Sequence, residues 1–107
     1  MKVTKEAQDQ IAELMKANKK VMPEQPFFLR ITAIFDADDK LKQQTYFDYE
    51  TRTDDRLLRF KDFDLRIDEE SYTHLKNATL EYYEDDEKTG FFLDNPKSHD
   101  HSSQNVI

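Results

Sequence analysis

The run Pro26-Phe27-Phe28-Leu29-Arg30-Ile31-Thr32-Ala33-Ile34-Phe35 sets the architecture of this chain. Beyond Pro26 the side chains alternate with a period of two. Phe27, Leu29, Ile31, Ala33 and Phe35 share one face, and Phe28, Arg30, Thr32 and Ile34 share the other. That period belongs to a β-strand. Both faces are partly apolar, which predicts a central strand covered on one side by the helix that precedes it.

A helix precedes this strand. Thr4 is a good N-cap and Glu6 complements the positive end of the helix dipole. Ala7, Ile11, Leu14 and Met15 form one apolar stripe at helical spacing. Lys16, Lys19 and Lys20 favour the C-terminal end, and Pro23 and Pro26 forbid continuation. The spacing predicts a helix over 5–19.

Downstream, Asp36-Ala37-Asp38-Asp39-Lys40 has turn chemistry without glycine. A second strand is expected over Thr45–Thr51, a short one at Leu57–Phe60 and another at Phe63–Ile67. Asp68 can cap a short helix holding Tyr72 and Leu75, with Asn77 as a left-handed terminator. Leu80–Tyr83 and Phe91–Leu93 read as two further strands around the acidic loop Glu84–Thr89. Asn95-Pro96 stops the last strand. Strand runs with helices set apart, rather than βαβ units, predict an α+β domain with a mainly antiparallel sheet. The domain is expected over residues 1–96, with 97–107 as a polar, loosely held tail.

Composition narrows the function classes. The 107 residues suit a single domain and include no cysteine, which excludes disulfides and thiolate metal sites. The formal charge is -7. Acidic runs at Asp36–Asp39, Asp68–Glu70 and Glu84–Glu87 repel phosphate backbones and anionic membranes, so no nucleic-acid and no membrane partner is expected. No apolar run spans a bilayer and the N-terminus lacks a secretory apolar segment, so a cytoplasmic location is expected. A single glycine cannot build a phosphate-cradling loop, and no Ser sits in a nucleophile elbow. The chain is expected not to be an enzyme.

Several segments together carry a family resemblance. Val3-Thr4-x-x-Ala7-x-x-x-Ile11, then Phe28-Leu29-Arg30-Ile31, then Tyr46 and its alternating strand come first. Leu65-Arg66-Ile67-Asp68-x-x-Ser71-x-x-x-Leu75, Leu80-Glu81-Tyr82 and Gly90-Phe91-Phe92-Leu93-Asp94-Asn95-Pro96 follow in order. This series resembles the HesB-like, A-type iron–sulfur carrier (IscA-like) family over residues 3–98. The resemblance implies a HesB-like domain with strands curled into a half-open barrel. It also implies kinship with iron–sulfur cluster assembly and allows a homo-oligomer. Cluster-carrying members use a Gly-Gly-Cys-x-Gly loop and a C-terminal Cys-Gly-Cys. Aligned here, the loop cysteine falls on Leu41 and the glycine after it on Gln43, while the terminal pair falls on Ser102 and Gln104. None supplies a thiolate, and the loop lacks glycines that let backbone approach a cluster.

The expectation is therefore a non-enzymatic relative that has lost the thiolate cluster site, binds no cofactor and acts through a protein partner. Two other readings stand beside it. His99-Asp100-His101, if the tail is three residues shorter than in the family, would put two imidazoles where the terminal cysteines stand. Asp94 or His74 could then complete a weak zinc or iron site. A small-molecule pocket in the barrel mouth is the other. Asp36-x-Asp38 is not a calcium loop, since its sixth and twelfth places are Leu41 and Phe47.

Overall fold

In the computed structural model, which describes residues 1–87 and 89–96, the chain begins with β1 (Lys2–Val3) and α1 (Lys5–Val21). The Thr4 hydroxyl accepts a hydrogen bond from the Ala7 N–H, closing the first turn of α1 as its sequence requires. Ala7, Ile11 and Met15 are the residues of the helical stripe that become buried. The helix runs two residues past the expected end, to Val21, and Pro23 stops it.

Four strands form one sheet in the order β3-β2-β5-β4: β2 (Phe28–Phe35), β3 (Leu41–Asp48), β4 (Arg56–Arg59) and β5 (Asp64–Ile67). β2 is central, as its two-faced sequence predicts. It pairs antiparallel with β3 and parallel with β5. Its Leu29, Ile31 and Ala33 face the core. The helix backing β2 is not the preceding one, as expected, but α2 (Glu69–Leu75), because α1 packs instead against β6 (Thr79–Glu84). β5 pairs with β2 at Leu29 and Arg30, and the chain then enters α2. The Ser71 hydroxyl, itself buried, takes over farther along β2 by accepting from the Ala33 N–H at 3.0 Å. A buried amide that no neighbouring strand reaches is thus satisfied.

The smaller sheet has the order β1-β6-β7, with β6 (Thr79–Glu84) and β7 (Thr89–Asp94) antiparallel and β1 parallel to β6. Neither sheet closes on itself. Together with the two helices they make an α+β fold in which three of the five strand pairings are antiparallel. No helix among the described residues is long and apolar enough to cross a membrane.

Three local expectations need correction. β3 occupies 41–48 rather than 45–51, because the Asp48 carboxylate accepts from the Tyr49 and Glu50 N–H groups and turns the chain out of the sheet. Asn77 does not take the left-handed conformation, which among non-glycine residues described here is confined to Asp39, φ 61°. That residue supplies the turn between β2 and β3 that glycine usually provides, while the Asp36 carboxylate accepts from the Asp38 and Lys40 N–H groups. β1, only two residues long, carries no periodic signal and was not expected.

Candidate functional site

The end of the β2–β3 ladder gathers Leu41, Gln43 and His74 from the residues singled out in sequence. Phe35 and Leu41 face each other in register, and Ala33 faces Gln43. Leu41, at the aligned loop-cysteine position, is half-buried and packs on the hydrophobic core. Gln43, at the aligned glycine, points inward and is buried. Its Oε1 accepts from Asn95 Nδ2 at 2.8 Å, and the same Nδ2 donates to the His74 carbonyl at 2.8 Å. Asn95 therefore ties the chain after β7 to both β3 and α2. Two buried polar atoms on this face of β3, Gln43 Nε2 and Thr45 Oγ1, find no hydrogen-bond partner among the described residues.

His74 lies in the last turn of α2, its ring edge-on to Phe35 with centroids 4.9 Å apart. Asp94 ends β7 and is exposed. Among the described residues no three His, Asp or Glu side chains are grouped as they would be around a metal ion. His99, His101, Ser102 and Gln104 lie outside the described residues. Ile34 and Phe35, 50% and 45% exposed, put apolar surface into water beside this cluster.

The opposite end of β2 holds a charged centre. The Arg30 side chain is fully buried among four bonds. It donates to both Asp55 oxygens at 2.8 Å, to Asp48 Oδ2 at 2.9 Å and to the Glu50 carbonyl at 3.0 Å. Asp55, also fully buried, accepts in addition from the Arg52 N–H. The hydrogen bond from Arg30 is the main influence holding the Asp55 carboxyl below its ordinary range, against the effect of burial. The same bond raises the Arg30 pKa. For Asp48, burial pushes the carboxyl upward but is outweighed by bonds from Glu50 N–H, Arg30 and Tyr49 N–H, and the net shift is downward. The bidentate geometry and the carbonyl satisfy a charge that would be costly alone. Sequence reasoning missed this centre. Its one signal is an arginine in the middle of an apolar strand, a position that demands buried acidic partners.

These features define a class, a HesB/IscA-like α+β domain built without cysteine. Three solved structures share the fold. The Escherichia coli protein SufA, involved in biosynthesis of iron–sulfur clusters, superposes with a TM-score of 0.75 at 16% identity over 95% of this chain and 85% of that one. IscA with its [2Fe-2S] cluster gives 0.72 at 17% identity, covering 99% and 97%. A protein from Aquifex aeolicus studied by NMR in solution gives 0.59 at 24% identity, covering 90% and 91%. No protein-family model and no curated protein matches the sequence. At these identities the likeness establishes the fold.

Proposed function

We propose that this protein is a non-enzymatic accessory of iron–sulfur cluster assembly that has lost the thiolate site and works by binding a protein of that machinery. One conjunction carries the reading. A fold shared with SufA and IscA is kept in a chain without cysteine, and the two aligned loop positions, Leu41 and Gln43, are occupied by packed side chains. Leu41 contributes to the core, and Gln43 fills the space a glycine would leave open and hydrogen-bonds Asn95. Iron–sulfur clusters are held chiefly by soft anionic sulfur, and this chain offers no such donor.

Anaerobic reconstitution with ferrous iron and sulfide, followed by gel filtration, tests the loss of the site. The protein is expected to emerge colourless and free of iron and sulfide. Stoichiometric retention of both would overturn the reading. Zinc titration of untagged protein addresses the histidines, and no micromolar site is expected. A micromolar site abolished by His99→Ala with His101→Ala would replace the accessory role with a metal-binding one. The partner is tested by affinity capture with the purified chain, expected to enrich a cluster-assembly protein. That protein must then bind the purified chain directly.

A further inference from the structure

Between the end of α1 and the start of β2 lies a cleft of about 250 Å³ that none of the preceding roles uses. Its walls are aromatic. Phe27 meets Tyr49 edge-to-face with centroids 5.9 Å apart, and the buried Phe28 ring forms the floor. Its charged and hydroxyl groups are Lys19, Arg66, Asp64 and Thr51. In a chain of formal charge -7, two cations beside three aromatic rings form an uncommon local environment.

The two cations have unspent donors. Arg66 lies over the Phe28 ring, 5.3 Å from the centroid. Its Nη1 is 4.0 Å from Asp55 Oδ2, beyond hydrogen-bond range, and that carboxylate is already engaged by Arg30 and the Arg52 N–H. Among the described residues the Arg66 guanidinium makes no hydrogen bond, although its side chain is only 25% exposed. Lys19, in the last turn of α1, makes no ion pair among the described residues. A guanidinium with free N–H groups, held over a ring and three-quarters removed from water, is suited to a carboxylate.

We propose that this cleft binds a small aromatic carboxylate, its ring against the Phe27–Tyr49 pair and its carboxylate on Arg66 and Lys19. The volume falls below the roughly 300–1,000 Å³ of a drug-sized site, so the ligand has a single ring on a short acidic arm. Asp64 also lines the cleft and opposes the two cations. The cleft therefore carries a net single positive charge, and with so few ligand atoms the affinity falls in the millimolar range.

The test is a titration of the ¹⁵N-labelled full chain with 3-phenylpropionate, followed by amide chemical shifts. 3-Phenylpropionamide serves as the neutral probe of equal size. The acid is expected to shift the amides of Phe28, Tyr49, Thr51 and Arg66 saturably, and the neutral amide to bind about tenfold more weakly for want of a charge-assisted bond. Arg66→Gln should weaken the acid by a similar factor and leave the neutral probe unchanged. Because Arg66 also borders the buried Asp55, Lys19→Gln on the exposed helix face is the second variant, expected to weaken the acid about two- to threefold, as suits a solvent-exposed charge. Equal binding of acid and amide overturns the proposal. So does the absence of saturable shifts at these residues, or wild-type affinity in both variants.

Discussion

Asp55→Asn probes the feature on which the β2–β3–β5 sheet most depends. The substitution keeps the shape and removes the charge, leaving a fully buried guanidinium beside a neutral amide whose nitrogen must face a donor. Removing one member of a buried pair costs about 3–5 kcal/mol. Asp48 and the Glu50 carbonyl still bind Arg30, which places the loss near the lower figure. With an unfolding entropy of about 2.1 cal/mol/K per residue, a 107-residue chain loses roughly 13 °C of Tm for 3 kcal/mol. Thermal and urea unfolding at pH 7 provide the measurement. The pH dependence gives a second readout. The Asp55 carboxyl is held below its ordinary value of about 3.9. In acid the unfolded chain therefore takes up this proton first, and stability rises with pH through that window. The contribution is complete above about pH 5 and is lost as pH falls through the depressed folded value. The gap between wild type and Asp55→Asn should accordingly narrow below about pH 4. Replacing both charges, Arg30→Met with Asp55→Leu, should recover much of the loss, since apolar residues of similar volume often match a buried pair. A single-variant loss under about 1 kcal/mol, or a gap that does not change in acid, refutes this account of the centre.

The remaining predictions concern the other end of the ladder and the backbone. Asn95→Ala removes the bonds to Gln43 and to the His74 carbonyl and should cost about 2–3 kcal/mol in urea unfolding. Gln43→Met should cost less than Asn95→Ala, because it also removes an amide nitrogen that is buried without a partner; the reverse order contradicts the assigned bonds. Gly90, φ 137° and opposite Tyr83, sits where a Cβ is disfavoured. Gly90→Ala should lower stability by about 1–3 kcal/mol by the same measurement, and a neutral effect would count against that backbone. Leu41→Cys with Ser102→Cys and Gln104→Cys returns three thiolates at the aligned positions. Iron retention after reconstitution should rise above wild type and rise further with Gln43→Gly, whereas no gain in either places the thiolates at the wrong positions.

How far the sequence reveals the fold follows from where its signals are periodic. Thr4 with Ala7, Ile11 and Met15, and the alternation from Phe28 to Phe35, place α1 and the central strand because burial on one stripe or face is a repeated demand. The same logic places α2, whose Asp68 carboxylate caps the Ser71 N–H. Boundaries fail where a side chain's local bonding overrides periodicity. Asp48 ends β3 early by binding two consecutive amides, although Tyr49 and Thr51 continue the alternation. Which helix backs β2 is a matter of tertiary packing that no single segment encodes. At the candidate site, the absence of thiolates is visible in the composition. The Gln43–Asn95 bond joins two side chains 52 residues apart, so it leaves no pattern in sequence.

The two ends of the β2–β3 ladder solve the problem of buried polarity differently, and the difference bears on the proposed role. At the Arg30 end every group is met: a bidentate carboxylate, a second acid and a carbonyl surround one guanidinium. That arrangement around the Arg30 guanidinium serves stability. At the Phe35 end the accounts do not close. Gln43 Nε2 and Thr45 Oγ1 are buried without partners among the described residues, while Ile34 and Phe35 remain half in water. Local inconsistencies of this kind cost stability, and natural proteins tend to keep them where function requires them. Leu41, His74 and Asn95 stand at that same end, where the two aligned loop positions, Leu41 and Gln43, also fall. The aligned loop positions and the buried polar atoms without a partner among the described residues thus coincide.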